Sequence, residues 1–120
     1  MEIKFNAWDK QEKKMLLWKD MCIDTYLLGE VISSDRYIPL QYSNRKDFIK
    51  EELYLGDIIK ATDNEGSETF GEVIFKDSSF CIKWKHLNWG TDFIYEINWN
   101  NPDFEIGKQG NIYEGLKIDL

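Results

Sequence analysis

From Gly56 to His86 the chain reads GDIIKATDNEGSETFGEVIFKDSSFCIKWKH. Three segments of this stretch, residues 56–62, 71–76 and 79–86, contain the β-branched and aromatic residues that favour strands. Short runs of Asp, Asn, Gly and Ser separate them, and these residue types tolerate the dihedral angles of tight turns. The stretch therefore predicts an antiparallel meander of three strands, of the kind that usually closes into a small barrel.

The third of these segments alternates with the period of two that is typical of a half-buried strand. One face carries Phe80, Ile82, Trp84 and His86, and the other carries Cys81, Lys83 and Lys85. Because Cys81 and His86 lie on opposite faces, one strand does not bring them together as a catalytic dyad. Two cysteines and one histidine also fall short of the roughly four ligands of a structural zinc site, so no metal and no cofactor is predicted.

The flanking sequence predicts further strands by the same criteria. Residues 2–8 alternate, with Ile3, Phe5 and Ala7 on the inward face, and residues 15–18 predict the returning strand of a hairpin. Other predicted strands cover residues 23–33, 37–42, 93–97, 104–106 and 111–113, with a turn at 100–103. The polar segment 43–53 lacks alternation and predicts a loop with one helical turn.

Composition limits the classes of function. The chain has 120 residues, which is the length of one domain, and 42% of them are hydrophobic, enough to form a core. Its formal net charge of −7 disfavours nucleic-acid binding, which needs clustered Lys and Arg. The sequence shows neither a signal peptide nor a membrane span, and two cysteines do not form a disulfide framework. We therefore expect a cytoplasmic protein with free thiols and no contact with a membrane.

A cluster of aromatic and basic residues near the C-terminal third is the best candidate binding surface. It consists of Lys83, Trp84, Lys85, Trp89, Tyr95 and Trp99. These rings have three interpretations: they pack in the core, they anchor a protein partner or a second copy of the chain, or they stack the bases of single-stranded nucleic acid. Two further alternatives are mimicry of DNA by the acidic surface, and metal-assisted chemistry at carboxylates such as Glu51, Glu52 and Asp57.

Several blocks of the sequence, in order, resemble the YopX family of phage and prophage proteins. They are residues 3–10, 13–15, 40–42, 53–60, 71–75 with 79–80, and 110–114. The chain departs from the family where Asn6 replaces a common arginine, where Ser43-Asn44 replaces Thr-Gly, and where Lys108-Gln109 interrupts an Ile-Gly-Asn run. The glycine-containing turn that the family has before Leu53 is also absent.

The resemblance implies a phage or prophage origin, a mainly β fold and a homo-oligomeric assembly, and it supplies no catalytic residues. Taken with the strand pattern, it predicts one YopX-like domain over residues 1–120, mainly β, with a small SH3-like or related antiparallel barrel and a short helical element. We expect a non-enzymatic accessory protein whose partner is a second copy, a host protein or a phage protein.

Overall fold

The structure is a computed structural model, which describes residues 3–85, 90–93 and 104–114. The first half of the chain forms β1 (Phe5–Asp9), β2 (Lys14–Leu16), α1 (Trp18–Cys22), α2 (Thr25–Ser33), β3 (Tyr37–Lys46) and β4 (Glu52–Tyr54). The second half forms β5 (Asp57–Asp63), β6 (Glu68–Lys76), β7 (Ser79–Trp84), β8 (Gly90–Phe93) and β9 (Phe104–Asn111). His86, the predicted turn at 100–103 and most of the predicted strand 93–97 lie outside the described residues.

The predicted mainly β, antiparallel fold is confirmed. The described strands form a four-stranded sheet in the order β2-β1-β3-β4 and a five-stranded sheet in the order β8-β7-β6-β5-β9. The predicted meander is the centre of the second sheet, in which β5 pairs with β6 and β6 pairs with β7. This sheet is a curled antiparallel half-barrel, as expected from the twist of adjacent strands.

The core of the five-stranded sheet lies on one of its faces. The prediction that Phe80, Ile82 and Trp84 share this inward face is confirmed. They pack against residues from four other strands, namely Leu53, Ile59, Val73 and Ile106. Burial of each such side chain contributes roughly 1.5–3 kcal/mol to stability. The alternation along β7 therefore identifies the side chains of that strand that pack in this cluster.

The predicted strand over residues 23–33 is wrong, because residues 25–33 form α2. Asp24 begins this helix: its side chain accepts hydrogen bonds from the backbone N–H groups of Tyr26 and Leu27. Leu27 and Val31 are four residues apart, one turn of a helix, and both pack in the second core cluster. The helical layer made by α1 and α2 thereby covers one face of the four-stranded sheet.

The first predicted strand is confirmed, but its burial differs from the expectation. Ile3 is exposed, whereas Asn6 and Trp8 on the supposedly outer face are buried together with Ala7. Ala7 packs under the helical layer. On the opposite face the ring of Trp8 lies 6.0 Å from that of Tyr113, which follows β9. β1 is therefore covered on both sides.

Two further predictions need correction. Segment 43–53 is not mainly loop, because β3 continues to Lys46 and β4 begins at Glu52. The two strands predicted at 104–106 and 111–113 are one continuous strand, β9. Its pairing with β5 shifts register between Ile58 and Ile59, which face Gly110 and Lys108, so Gln109 is an extra, bulged residue. The bulge at Gln109 lets one strand, β9, stay paired with β5 along its whole length, where the sequence predicts two separate strands.

Within the described residues, the two helices are too short to cross a membrane.

Candidate functional site

The structure describes three of the six residues of the predicted aromatic and basic surface. Trp84 is buried in the core of the five-stranded sheet, which is one of the interpretations that the sequence left open. Lys83 points to the other face of β7, and its strand position faces Glu72 on β6. Lys85 follows β7, and its backbone N–H donates to the carbonyl of Phe70. Trp89, Tyr95 and Trp99 lie outside the described residues.

A polar cleft opens between the two sheets, and we call it the inter-sheet cleft. It has two compartments, with volumes of about 390 and 450 Å³. Both compartments are lined by Asn6 of β1, Leu17 before α1, Tyr54 of β4 and Lys108 of β9. These residues come from both sheets and the start of the helical layer, so the cleft forms only when the two sheets pack.

An ion pair between Lys108 and Asp57 forms one wall of the cleft. The Lys108 Nζ lies 3.1 Å from Oδ2 of Asp57, whose side chain is 4% exposed. The same oxygen accepts a hydrogen bond of 2.6 Å from the backbone N–H of Tyr54. Burial raises the pKa of Asp57 to about 6, although Lys108 and the Tyr54 N–H favour the charged form. The carboxyl group therefore titrates near neutral pH.

A second charged pair, Lys4 with Glu52, lines the first compartment. Glu52 also accepts a hydrogen bond of 3.2 Å from the Tyr54 hydroxyl. The Lys4 Nζ lies 4.7 Å from the centre of the Tyr42 ring, a cation–π distance. Burial raises the pKa of the Tyr54 hydroxyl above its usual value, so this group stays protonated and acts as a hydrogen-bond donor.

The loop between β3 and β4 holds Lys108 in place. Asp47 is buried, and its Oδ2 accepts a hydrogen bond of 2.9 Å from the backbone N–H of Lys108. Its Oδ1 accepts from the backbone N–H groups of Ile49 and Glu51, which closes the loop. One carboxylate thus fixes the loop and β9 relative to each other, because buried polar atoms must be paired.

Asn111 lines the second compartment of the cleft. Its Oδ1 accepts hydrogen bonds from the backbone N–H groups of Tyr113 and Glu114, and its Nδ2 donates to the Glu114 carboxylate. This turn directs the chain back after β9 and places Glu114 beside the second compartment.

The sequence did not predict this cleft. In the sequence, Asp57 is one of several available carboxylates, and Lys108 is part of an interruption in the family pattern. No pattern along the chain links the two residues, because they lie 51 positions apart and meet only in the folded protein. Within the described residues, no group of three or more His, Cys, Asp or Glu side chains is placed to hold a metal ion. Cys22 is exposed and Cys81 is buried.

Comparisons with known proteins agree on the fold. The family model described as YopX protein matches residues 4–116. The crystal structure of protein yopX from Bacillus subtilis is similar, with a TM-score of 0.62 and 15% sequence identity, over 95% of each chain. A search of curated proteins found no match.

Proposed function

The chain belongs to the YopX family, and from this premise we propose that it is a phage- or prophage-encoded accessory protein that acts through protein contacts. In this proposal it works in the bacterial cytoplasm, catalyses no reaction, and pairs with a second copy of itself through the outer surface of its helical layer.

The observation that carries the proposal is the exposure of large apolar side chains on this layer. Ile23 is 85% exposed, Tyr26 is 89% exposed and Ile32 is 70% exposed. In the sequence of α2, Glu30 is the one charged residue, although 31% of the whole chain is charged. Contiguous exposed apolar side chains mark interaction sites, so an outer partner for α2 is expected.

A groove beside α2 extends this surface. It has a volume of about 780 Å³ and lies between the helix and the strands β1 and β3. Its apolar lining consists of Phe5, Val31, Ile32, Tyr37, Ile38 and Pro39. We call the exposed side chains of Ile23, Tyr26 and Ile32 the helical strip. Ile32 belongs both to this strip and to the groove, so the strip and the groove form one continuous surface.

A second copy of the chain fits this surface on electrostatic grounds. The net charge of −7 makes two copies repel over most of their surfaces. The side chains of Ile23, Tyr26 and Ile32 carry no charge, and the exposed acids Asp24 and Glu30 lie beside them in the chain. A two-fold contact presents the same patch from both copies, so the apolar side chains of one copy meet those of the other.

Sedimentation velocity over a range of concentrations tests the pairing. The wild-type protein is expected to sediment as a dimer or larger assembly at high concentration. Ile32→Lys, which places a charge where the strip meets the groove, is expected to shift the protein to monomer. The matched control is Ile49→Lys, since Ile49 is 59% exposed but lies in the loop between β3 and β4.

Two results would contradict the proposal. One is a wild-type protein that stays monomeric at every concentration. The other is an Ile32→Lys protein that associates as strongly as the Ile49→Lys control.

A further inference from the structure

The inter-sheet cleft contains a hydrogen-bond donor that has no acceptor among the described residues. Asn6 is 7% exposed and lines both compartments. Its Oδ1 accepts a hydrogen bond of 3.0 Å from the backbone N–H of Trp18. No described residue accepts a hydrogen bond from its Nδ2. The Nδ2 group faces the solvent of the cleft, so an acceptor oxygen of a ligand can replace water as its partner.

Lys108 offers a second donor to the same space. A lysine ammonium group has three N–H donors. Two of them are accounted for, by Asp57 Oδ2 at 3.1 Å and by the backbone carbonyl of Glu52 at 3.3 Å. The third has no acceptor among the described residues. Since Lys108 and Asn6 line both compartments, a group with acceptor oxygens placed between them meets two unused donors.

The charge at the rim favours an anion as the source of those oxygens. The inner lysines, Lys4 and Lys108, are each paired with a carboxylate. Three more lysines line the compartments, Lys13, Lys14 and Lys19, and within the described chain none of them lies within ion-pair distance of an acid. Lining acids are Glu51, Glu52, Asp57 and Glu114, so five lysines face four acids. The cleft is thus net positive on a protein of net charge −7.

We propose that the inter-sheet cleft binds a small organic or inorganic anion, a carboxylate or a phosphate, whose oxygen accepts a hydrogen bond from Nδ2 of Asn6. The apolar part of an organic ligand then lies against Leu17, Trp18 and Tyr54, which line the first compartment. Compartments of about 390 and 450 Å³ fall within the size range of small-molecule sites. This site does not depend on the pairing through α2, which involves another face of the protein.

The side-chain amide of Asn6 reports directly on the binding. In ¹H–¹⁵N correlation spectra of the full chain, titration with glutarate or with inorganic phosphate is expected to shift the Asn6 Nδ2 resonances and to saturate. Glutaramide, the neutral analogue of glutarate, is expected to leave them in place. Whichever of the two anions saturates at the lower concentration identifies the preferred acid group.

Asn6→Asp separates binding from folding. The aspartate retains an oxygen for the Trp18 N–H, but it replaces the donor with a negative charge. We expect the variant to keep a dispersed amide spectrum and to bind the preferred anion at least about tenfold more weakly, followed by the Trp18 indole resonance. The control is Asn44→Asp, which makes the same change of charge on β3, outside the residues that line the cleft.

Two outcomes would overturn the site. In the first, the Asn6 Nδ2 resonances of the wild-type protein do not move with either anion at tens of millimolar. In the second, glutaramide shifts them as much as glutarate does, which would mean that the cleft does not recognise charge. Both readouts use the wild-type protein, so they remain valid if Asn6→Asp does not fold.

Discussion

Lys108 and Asp57 join β9 to β5 by an ion pair of 3.1 Å in which the carboxylate is almost completely buried. The pair lies beside the bulge at Gln109, which lets β9 pass from Lys108 to Gly110 while β5 advances by one residue. The buried acid thus has its cation on a neighbouring strand, and each group is costly to bury without the other.

Lys108→Met is expected to destabilise the protein by about 3 kcal/mol at slightly alkaline pH, because Asp57 then remains buried without its cation. Urea unfolding measures this change. The control is Lys60→Met on β5, which breaks the partly exposed pair with Glu68 and is expected to cost less than about 1 kcal/mol. Equal losses in the two variants would show that the Asp57 pair has no special role. The double variant Asp57→Asn with Lys108→Met should recover part of the loss.

Asp57 makes stability depend on pH in an unusual direction. Burial raises its pKa in the folded state from 3.8 to about 6, so the folded protein binds a proton more tightly than the unfolded chain does. This group therefore stabilises the folded state as the pH falls from about 7 towards about 4, by an amount on the order of 3 kcal/mol. Asp57→Asn should remove that slope from unfolding curves measured between these limits.

Glu72 supplies the control for this measurement. Burial also raises its pKa, and Lys83 opposes that effect. Glu72→Gln should therefore remove a part of the slope and leave the part that belongs to Asp57. A wild-type protein whose stability does not change, or falls, on acidification through this range would contradict the prediction for Asp57.

The ion pair between Asp9 and Arg36 connects the end of β1 to the residue that precedes β3. The guanidinium donates two hydrogen bonds of 2.8 Å to the two carboxylate oxygens, and it holds the pKa of Asp9 well below its usual range. Asp9 thus contributes stability above its unfolded-state pKa of 3.8, and that stability is lost at more acidic pH. Arg36→Met should lower the midpoint of thermal unfolding near neutral pH.

A variant of Glu12 tests whether the paired geometry matters. The Oε1 of Glu12 lies 3.9 Å from Nη2 of Arg36, but the Glu12 side chain is mostly exposed. Glu12→Gln should therefore leave the unfolding midpoint almost unchanged. A drop as large as that of Arg36→Met would mean that the local charge, and not the double hydrogen bond with Asp9, supports this corner.

Gly71 of β6 leaves no room for a side chain. A Cβ atom there would lie 2.6 Å from Cγ2 of Ile82 and 3.0 Å from Cε3 of Trp84, both in the core. Gly71→Ala should therefore destabilise the protein by about 1–3 kcal/mol in urea unfolding. Gly29→Ala in α2 is the matched control, because nothing lies within 4 Å of its Cβ position and alanine favours helices. The control should be neutral or stabilising, and a comparable loss in both variants would contradict the steric explanation.

The strands that could be predicted from the sequence are those in which local pattern and tertiary surroundings agree. Along β7 the side chains of Phe80, Ile82 and Trp84 alternate with Cys81 and Lys83, and the predicted face packs in the core. Cys81 on the other face is buried as well. In α2 the same approach failed, because the apolar residues of segment 23–33 do not alternate strictly with polar ones, and Leu27 and Val31 have the spacing of a helical turn. The Asp24 side chain resolved the choice by capping the helix.

The sequence alone thus determined the mainly β character, the central meander and the family, since these depend on side chains that are neighbours along the chain. Only the tertiary structure decided where the cleft lies, that Asn6 faces it, and that Asp57 meets Lys108. The physical reason is that burial and pairing arise between residues that are far apart in the chain. The raised pKa of Asp57 and the placement of the Asn6 amide in the cleft exist only once the two sheets have packed together.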